Sequence, residues 1–429
     1  MVNPLPIHKA QQYALEMQQQ FDQHRALDYH TNKELSLDHL FEDEKGQMFG
    51  VLVCEDDQKN EIVLYAFSGQ FQKRWSVEGY VGPAFDEDEF NRLWDESKLT
   101  FMEYEKEIHH LEKEQGEALS KRKVLSQTLQ RELHSLYEFH SIDQKIYSLK
   151  DIFNTLSVPS GTGDCCAIKL FNEAFKRKLH PVSLAEFYYG HSSCHNHKEF
   201  YPPCDRRCKD LITTMLGLEI LYLDDSIVVV NKPPRLLAVP GRGEDKQDSI
   251  SYRVKRLFRF SIDQPAVHRL DMDTSGLMVL CFSSEAHRNL SIQFSSRRVE
   301  KEYVALVEGI ITQERGEITL AFRYDPENKP RQIYDPVLGK WGTTKWEKVR
   351  VERRGARHVT RLLLRPIEGR THQLRLHTSD PRGLGTPIVG DRLYGEAGDE
   401  KRMALHASRL SFHHPVTDEL LTFEVESEF

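Results

Sequence analysis

Residues 268–276 read His-Arg-Leu-Asp-Met-Asp-Thr-Ser-Gly, and this short polar stretch lies between two apolar runs, 264–267 and 277–282. Its first aspartate, Asp271, is therefore held between hydrophobic segments, and Arg269 lies two residues before it. Burial favours the neutral form of a carboxylate, whereas a nearby cation favours the ionised, reactive form. An aspartate that caps a turn through neighbouring N–H groups is the alternative interpretation of such a residue. The stretch is therefore the first candidate for a reactive site.

The composition restricts the class of protein. A chain of 429 residues is long enough for two or three domains, and a hydrophobic content of 39% is sufficient for real cores. No run approaches the roughly 20 apolar residues of a membrane span. The N-terminus has no basic segment followed by an apolar one, so we expect no export signal. Seven cysteines in so long a chain do not form a secreted disulfide framework, and a cytoplasmic location is expected.

The net charge of −8 is unevenly distributed along the chain. Residues 214–429 carry 33 Lys+Arg and 31 Asp+Glu, a net charge of +2, and residues 1–213 carry the remaining 25 and 35, a net charge of −10. Arginines concentrate locally in the second half, at 253–259, 297–298 and 350–375. A local basic face can bind phosphate even when the net charge is near zero. Nucleic-acid binding is therefore compatible with an acidic chain.

The pattern of residues divides the chain into four segments. We predict a small mixed α/β module at 1–98, long helices at 99–150, a Cys/His-rich segment at 151–213 and an α+β domain at 214–429. Strands are predicted at 48–54, 61–67, 218–222 and 227–230, and a helix at 284–296. No glycine pattern typical of a Walker or Rossmann nucleotide site occurs, so no nucleotide cofactor is indicated.

The segment 99–150 has no proline and a single glycine, Gly116. Its apolar residues recur at helical but imperfectly heptad spacing, which predicts long helices with a possible hairpin break near Gly116. An amphipathic helix packed on its own domain and a projecting coiled-coil arm explain this spacing equally well. The second alternative would allow the protein to self-associate through this segment.

The segment 151–213 contains several residues that can bind a metal: Cys165, Cys166, His191, Cys194, His195, His197, Cys204 and Cys208. Zinc requires about four nitrogen or sulfur ligands, and the spacing of Cys204 and Cys208 lies within the range of known zinc sites. Reduced cysteines often act as small buried hydrophobic residues instead. If zinc binds, we expect Cys204 and Cys208 to be ligands and the role of the metal to be structural.

Several ordered motifs in the second half resemble RluA-type RNA pseudouridine synthases, over roughly residues 218–429. The motifs are 221–225 with 231–233 and 239–241, then 268–276, 301–309 (Lys-Glu-Tyr-Val-Ala-Leu-Val-Glu-Gly) and 369–377 (Gly-Arg-Thr-His-Gln-Leu-Arg-Leu-His), followed by 387–391 and 405–407. Residues 325–332 resemble the RluA subtype in particular. The resemblance implies a mixed, mainly antiparallel sheet flanked by helices, and isomerisation of uridine in RNA with no metal or nucleotide cofactor.

The resemblance also implies roles for individual residues. Asp271 is the expected catalytic carboxylate, acting on ribose C1′ or on the base, because an anion stabilises the positive charge that develops at a sugar carbon. Tyr303 is the expected active-site tyrosine, whose ring stacks on uracil and whose hydroxyl could help to remove the C5 proton. Arg375 is expected to pair with Asp271 and hold it bidentately.

The same resemblance predicts how RNA is bound. A base must leave its stack before a carboxylate can reach the glycosidic bond, and this costs least in a loop. Stem-loops of 23S ribosomal RNA, or of tRNA, are therefore the expected partners. Arg269 is expected to fill the space left by the flipped base. Further RNA contacts are predicted at His268, Lys232, Arg370, Arg297 and Arg298.

The chain departs from the family pattern in three places. Arg235 replaces a usual glycine, so the turn that contains it cannot rely on an easy positive φ. Thr386 replaces a frequent histidine, after a short insertion near residues 381–383. The S4 RNA-binding domain of many relatives is not recognisable, and the acidic region 1–213 stands in its place.

Two other functions remain open at this point. In the first, the protein binds RNA or ribosomes without catalysis, residues 1–213 do the work, and the second half is a scaffold. In the second, the protein is a zinc-dependent hydrolase or deaminase, but the sequence lacks the Pro-Cys-x-x-Cys that accompanies His-x-Glu in the signature of the zinc deaminases.

Overall fold

The computed structural model of this chain describes residues 2–31, 33–110, 115–153, 158–159, 161–204, 207–396 and 400–429. The chain forms two compact units, Met1–Gly217 and Leu218–Phe429. The boundary falls within four residues of the predicted start of the α+β domain at 214. The further division of 1–213 into three modules stays a prediction.

The first unit is built on a four-stranded antiparallel sheet with the strand order β2-β1-β5-β6. The described elements of this unit are α1 (His8–His24), β1 (Gln47–Glu55), β2 (Glu61–Phe67), α2 (Glu87–His110), α3 (Gln115–Ser135), β3 (Phe139–His140), β4 (Ile146–Tyr147), α4 (Leu149–Phe153), α5 (Cys166–Lys176), β5 (His180–Tyr189), β6 (Phe200–Tyr201) and α6 (Lys209–Leu216). Strands β1 and β2 confirm the two strands predicted in this region. Because β1 pairs with β5, the first and third predicted segments contribute to one sheet.

Strand β1 is buried along nearly its whole length because both faces of the sheet are covered. Phe49 packs edge-on against Phe21 of α1, with a distance of 5.0 Å between ring centroids. On the opposite face, Gly50 lies under α5, where a Cβ atom would come within 2.6 Å of Cys166. Successive side chains of a strand point to opposite faces. The two helices therefore enclose the sheet between them.

The long helical segment is shorter than its sequence suggested. Helices α2 and α3 contact each other, and residues 111–114 between them lie outside the described residues, so the hairpin near Gly116 stays a prediction. The helical structure ends at Ser135, and β3 and β4 then form a small antiparallel pair instead of continuing the helix. Within the described part of the chain, no helix combines the length and apolar character needed to cross a membrane.

The second unit is built on one large sheet. Its described elements are β7 (Glu219–Leu223), β8 (Ile227–Lys232), α7 (Ile250–Leu257), β9 (Ser275–Cys281), α8 (Ser284–Ser295), β10 (Glu300–Glu308), β11 (Arg315–Tyr324), β12 (Gln332–Tyr334), β13 (Lys340–Arg354), β14 (Arg357–Pro366), α9 (Gln373–Ser379), β15 (Leu405–His413) and β16 (Leu420–Glu424). The strand order is β12-β11-β13-β14-β10-β15-β9-β8-β7, with β16 on β15. The pair β9–β15 is parallel and the other pairs are antiparallel. This confirms the predicted α+β class and the mixed, mainly antiparallel sheet.

The junction of β9 and β15 explains the glycine that ends the opening motif. Gly276 lies opposite Ala407 in the parallel pair and has a φ of 115°, which side chains rarely tolerate. A Cβ atom on Gly276 would lie 2.3 Å from the carbonyl oxygen of Ala407. A glycine is therefore required for the strand that follows Asp271 to join the centre of the sheet.

The turn at Arg235 adopts the conformation that a glycine would favour. Arg235 has a φ of 65°, in the left-handed region, although its side chain disfavours that region by roughly 1–2 kcal/mol. Its guanidinium donates a hydrogen bond to the carbonyl oxygen of Lys401. The substitution of the usual glycine thus leaves the turn in place, and this side-chain contact offsets part of the strain.

Candidate active site

Asp271 lies in a tight turn immediately before β9. The N–H of Thr274 donates to the carbonyl oxygen of Asp271 at 3.1 Å, which closes the turn, and the carboxylate is 18% exposed. Leu270 on one side is buried, and Arg269 is exposed. The apolar neighbours therefore anchor the turn and leave the carboxylate and the Arg269 side chain near the surface.

A pocket opens beside this carboxylate. Five of the predicted site residues line it: Arg269, Asp271, Tyr303, Arg370 and Arg375. They come from the turn before β9, from β10, from α9 and from the loop before α9. The other predicted residues, which are His268, Lys232, Arg297 and Arg298, are not among the residues that line this pocket. The fold thus brings together the three residues expected to be catalytic and two of the six expected to bind RNA.

Arg375 is buried and touches two carboxylates. Its Nη1 lies 3.6 Å from Oδ2 of Asp271. Its Nε and Nη2 donate to the two oxygens of Asp391 at 2.7 and 2.6 Å. The expected bidentate partner was Asp271, and this expectation is wrong, because the fork of the guanidinium is occupied by Asp391. Burial acts to lower the pKa of Arg375, but the hydrogen bond and charge of Asp391 raise it, so the guanidinium keeps its charge beside Asp271.

Asp391 is a site residue that the sequence did not reveal. Besides its two bonds from Arg375, its Oδ1 accepts hydrogen bonds from the N–H groups of Leu393 and Tyr394. Its side chain is fully buried. The residue ends the motif at 387–391, which was recognised in the sequence without a role for its aspartate. Asp391 therefore holds the arginine that faces Asp271.

Tyr303 approaches the pocket from β10. It is paired with Leu364 of β14 on one side and Ala407 of β15 on the other, next to an irregularity in the strand register. Burial, and secondarily the charge of Asp271, raise the pKa of Tyr303 well above its usual value. The phenol therefore stays protonated at neutral pH.

Two further residues belong to this group: His372 lines the same pocket, and Tyr394 contacts His372. Nε2 of His372 lies 3.9 Å from Oδ1 of Asp271, and Nδ1 of the same ring lies 3.0 Å from the hydroxyl oxygen of Tyr394. His372 was quoted within the motif 369–377, but no pattern in the sequence distinguished it from the other polar residues there. Its position next to Asp271 is visible only once the chain is folded.

Lys232 is part of the core, and its predicted contact with RNA phosphate is wrong. The side chain is fully buried, and its Nζ donates to the carbonyl oxygens of Pro233, Leu236 and Met272 at 2.9, 2.7 and 2.9 Å. Burial lowers the pKa of Lys232 to about 7, and Asp273 acts in the opposite direction. The amine therefore supports the turn next to Asp271 from inside the protein.

Replacing Lys232 should affect stability and leave RNA affinity unchanged. Lys232→Met leaves three buried carbonyl groups without a donor, and we expect the free energy of unfolding to fall by about 2–4 kcal/mol. Chemical denaturation measures this change. The exposed Lys345→Met on β13 is the control, with an expected change within about 0.5 kcal/mol. A folded Lys232→Met protein that binds RNA tenfold more weakly than wild type would restore the phosphate role.

His268 makes structural contacts, and its predicted contact with RNA stays a prediction. Its Nε2 accepts a hydrogen bond from the N–H of Val279 at 3.1 Å, and its ring stacks on Phe294 at a centroid distance of 4.6 Å. Burial, and secondarily the charge of Lys301, lower the pKa of His268 to about 3. The ring is therefore held in its neutral form between β9 and α8.

Arg297 and Arg298 follow α8 and are both exposed. Nη2 of Arg297 lies 2.9 Å from a carboxylate oxygen of Glu368, and Glu368 itself lines the pocket. Nε of Arg298 donates to the hydroxyl of Ser296 at 3.3 Å. Their predicted contact with RNA stays a prediction, with Arg297 linked to the rim of the pocket by one ion pair.

The first unit contains a cluster of three cysteines, Cys165, Cys204 and Cys208. Their sulfur atoms all lie within 4.8 Å of one another, and those of Cys165 and Cys208 are 3.1 Å apart. The two predicted ligands thus meet a third thiol, at the start of α5. Nearby histidines have other partners: His195 stacks on Tyr188, and Nδ1 of His197 accepts from the N–H of Gly190.

Comparison with known proteins finds relatives of one family. A family model described as RNA pseudouridylate synthase matches residues 226–380. The protein named dual-specificity RNA pseudouridine synthase RluA of Haemophilus influenzae is 44% identical over 215 residues, which are 49% of this chain and 94% of that protein. Its Escherichia coli (strain K12) counterpart is 40% identical over 218 residues, with the same two coverages. A solved structure titled human RNA pseudouridylate synthase domain containing 1 is 29% identical, with a TM-score of 0.42, and covers 49% of this chain and 84% of that chain.

The family model and the relatives at 40–44% identity place the chain in the class of RNA-modifying isomerases. The chain belongs to the RNA pseudouridylate synthase family, and its substrate is RNA. Within that family it is similar to the proteins named RluA, as the motifs implied. The identities extend over about half of this chain.

Proposed function

We propose that this enzyme converts particular uridines in stem-loop RNA to pseudouridine, with Asp271 as the catalytic carboxylate. The observation that carries the proposal is that Asp271, Tyr303 and Arg375 line one pocket although they belong to three separate elements. In the reaction the bond between ribose C1′ and uracil N1 breaks, and the uracil turns within the pocket. A bond then forms between C1′ and C5, the C5 proton passes to water, and N1 takes up a proton, so that the product is an isomer of the substrate. Bond making offsets bond breaking, so no cofactor is needed.

Asp271 acts either at the ribose C1′ or on the base. A carboxylate that faces a sugar carbon stabilises the positive charge that develops when the glycosidic bond breaks. Arg375 contributes a fixed positive charge 3.6 Å from Oδ2 of Asp271, which orients that oxygen. Because the fork of the guanidinium is held by Asp391, the arginine is positioned before substrate arrives.

Tyr303 holds the uracil ring. Its raised pKa keeps the hydroxyl protonated, so the residue serves better as a stacking surface and hydrogen-bond donor than as the base that removes the C5 proton. Its ring lines the pocket together with Asp271. A base that enters from the surface therefore meets the carboxylate and the ring together.

Arg269 and Arg370 are proposed to bind the RNA backbone around the flipped nucleotide. Both are exposed, and both line the pocket. Arg269 lies two residues from Asp271, where a guanidinium can fill the space that the extruded base leaves in the stack. Flipping costs a few kcal/mol, and these contacts offset part of that cost.

Reversing the charge of Arg370 should weaken RNA binding without altering the fold. We expect Arg370→Glu to raise the Kd for a stem-loop RNA about tenfold. The number of counterions released on binding, measured as the slope of log Kd against log salt concentration, should fall by about one. Filter binding at several salt concentrations measures both quantities. The control is Arg288→Glu, which changes an exposed arginine on α8 that does not line the pocket. Equal loss of affinity in both variants would show that overall charge, and not this site, governs binding.

We propose stem-loops of 23S ribosomal RNA and of tRNA as the substrates. The relatives are named dual-specificity RNA pseudouridine synthase RluA, which supports this proposal. The RluA-like stretch at 325–332 supports it as well. Mapping of pseudouridines in cells with and without this protein tests the proposal, and particular sites in one or both RNAs are expected to disappear. An unchanged map would favour the alternative of an RNA-binding protein without activity.

Residues 99–150 are proposed to allow self-association, and the enzyme is proposed to act in the cytoplasm. The support for self-association is the spacing of apolar residues in this segment. Sedimentation of the full chain over a range of concentrations would detect a dimer, and a monomer at all concentrations would exclude it. The support for the location is the composition, because seven cysteines in 429 residues do not form a secreted disulfide framework.

The three cysteines are proposed to hold a structural zinc ion. Tetrahedral zinc with Zn–S bonds of about 2.3 Å places its sulfur ligands roughly 3.8 Å apart. The three sulfur atoms lie within 4.8 Å of one another, and the pair at 3.1 Å would have to separate by about 0.7 Å to bind the ion. Cys165 precedes α5 and Cys208 precedes α6. A metal here would tie two helices to the loop that carries Cys204, and it would have no part in the reaction.

Metal analysis of the purified chain should find about one zinc ion per molecule. Its removal by a chelator is expected to lower the unfolding temperature by about 5–10 °C. Cys165→Ser should reduce the zinc content, while Cys194→Ser, at an exposed cysteine outside the cluster, should leave it unchanged. A chain that binds no zinc when the ion is supplied, or that forms a disulfide in this cluster instead, contradicts the proposal.

A further inference from the structure

The two oxygens of the Asp271 carboxylate face different groups. Oδ2 lies 3.6 Å from Nη1 of Arg375, which is a permanent cation. Oδ1 lies 3.9 Å from Nε2 of His372, at the start of α9. Such separations are common before substrate binds, because catalytic hydrogen bonds often shorten only in the complex. The carboxylate is therefore flanked on both sides by nitrogen atoms of the same helical segment.

The ring of His372 is fixed by a chain of hydrogen bonds. The N–H of Gln332 donates to the hydroxyl oxygen of Tyr394 at 2.6 Å, so the hydroxyl hydrogen of Tyr394 is available for another acceptor. The nearest is Nδ1 of His372, at 3.0 Å. With Nδ1 as acceptor, the ring carries its hydrogen on Nε2, the atom that faces Asp271. This chain of hydrogen bonds favours the tautomer with its hydrogen on Nε2.

Burial and charge keep the ring neutral. The side chain of His372 is 8% exposed, and this burial lowers its pKa. Asp271 and Asp391 act to raise that pKa, and Arg375 and Arg269 act to lower it. A neutral N–H donor next to Oδ1 orients the carboxylate without adding a second cation, which would reduce its basicity.

The backbone of His372 gives an independent indication of a functional constraint. Its φ is 55°, in the left-handed region that non-glycine residues rarely adopt. Local strain of this kind persists where the contacts of the surrounding structure hold the residue in place, and it is frequent at functional sites. Here it places a histidine ring between Tyr394 and Asp271 at the start of a short helix.

We propose that His372 is a positioning residue for Asp271 and that Tyr394 sets the tautomer of His372. The proposal rests on the role proposed for Asp271 above. His372 holds Oδ1 through its Nε2–H, and Arg375 orients Oδ2. The carboxylate is thereby held in one rotamer when the flipped base enters the pocket.

The first test compares two replacements of His372. A glutamine side chain can present an amide N–H at the position of Nε2, whereas leucine has no donor. We expect His372→Leu to lower the single-turnover rate of pseudouridine formation about 100-fold and His372→Gln to recover it to within about fivefold of wild type. The Kd for RNA should change less than about threefold in both, because the residue acts on Asp271 and not on RNA. Equal rates for His372→Leu and wild type would overturn the proposal.

The second test uses Tyr394→Phe in two backgrounds. The variant keeps the ring that lies 5.2 Å from the guanidinium carbons of Arg331 and Arg375, and removes the hydroxyl that fixes His372. We expect the single-turnover rate to fall about tenfold in the wild-type background and not at all in His372→Gln, which has no Nδ1 to fix. A merely structural hydroxyl would give the same loss in both backgrounds, because Gln332 loses its acceptor in both.

These outcomes are separate from those that test the proposed function. If Asp271→Asn is inactive while His372→Leu and Tyr394→Phe react at the wild-type rate, the positioning role is overturned and the catalytic carboxylate stands. If Asp271→Asn retains full activity, the proposed function itself fails, whatever the His372 variants do. Thermal unfolding of each variant shows whether the rates were measured on folded protein.

Discussion

Asp271→Asn is expected to lower the rate of pseudouridine formation by about 1000-fold or more while the Kd for RNA stays within about threefold of wild type. The amide has the shape of the carboxylate but no charge, so it cannot stabilise positive charge at C1′ or form a covalent bond there. Arg269 and Arg370 remain in place to bind RNA. Release of tritium from RNA that carries 5-³H-uridine measures the rate, and filter binding measures the Kd.

Asp273→Asn is the matched control, because Asp273 belongs to the same turn but does not line the pocket. It is expected to keep the reaction rate within about threefold of wild type. Normal tritium release from Asp271→Asn would end the assignment of this residue as the catalytic carboxylate. Equal losses in both variants would indicate damage to the turn and not loss of the reacting group.

Asp391→Asn is expected to lower the free energy of unfolding by about 3–5 kcal/mol. Its side chain is fully buried, and that of its partner Arg375 is 4% exposed. Removing the charge of Asp391 leaves a buried guanidinium without its tight ion pair, and two backbone N–H groups share a weaker acceptor. The free energy of unfolding is measured by urea denaturation, and the reaction rate of the remaining folded protein should also fall because Arg375 loses its orientation.

An exposed ion pair provides the control for this variant. Glu300 lies 3.5 Å from Nη1 of Arg409, with exposed fractions of 74% and 38% for the two side chains. Glu300→Gln is expected to change the free energy of unfolding by less than about 1 kcal/mol, because water and salt screen exposed charges. If Asp391→Asn destabilises the chain no more than Glu300→Gln does, the buried pair is not what holds Arg375 in place.

The residues proposed to be catalytic could be identified from sequence because each lies in a contiguous motif. Asp271 shortly precedes the apolar run that forms β9, and Tyr303 lies within β10 directly before the run 304–307, so the strand pattern places both near the sheet without knowledge of other elements. The partners of these residues could not be predicted in the same way. Asp391 and Tyr394 reach the site from a loop beyond α9. Only the folded chain shows that Asp391 pairs with Arg375 and that Tyr394 contacts His372.

Lys232 and His268 show a second limit of sequence patterns. Both residues belong to motifs, and a cation in a motif of an RNA enzyme suggests a phosphate contact. The structure places Lys232 beneath the turn and His268 between a strand and a helix. Some polar residues of a motif support the site from within the protein, and others contact the ligand. Sequence spacing does not distinguish the two kinds, because both occur next to the reacting residue.

The first unit was harder to predict because its contacts are distant in sequence. Strand β1 pairs with β5, more than a hundred residues later, and Cys165 joins Cys204 and Cys208 across β5 and β6. Residues 139–147 have apolar positions that fit the preceding helix, yet they form a short strand pair. Local periodicity identified β1, β2 and helical structure in the segment 99–150, but it did not identify β5 and β6 or specify which strands pair.

The most direct measurement is a structure of the enzyme bound to a stem-loop RNA whose target uridine carries fluorine at C5, so that the final proton cannot leave. We expect the uracil outside the helical stack, in contact with the ring of Tyr303, with the Asp271 carboxylate within reach of C1′ and Arg375 still paired with Asp391. A target base that remains stacked, or that binds in a pocket that excludes Asp271, would contradict the proposed mechanism.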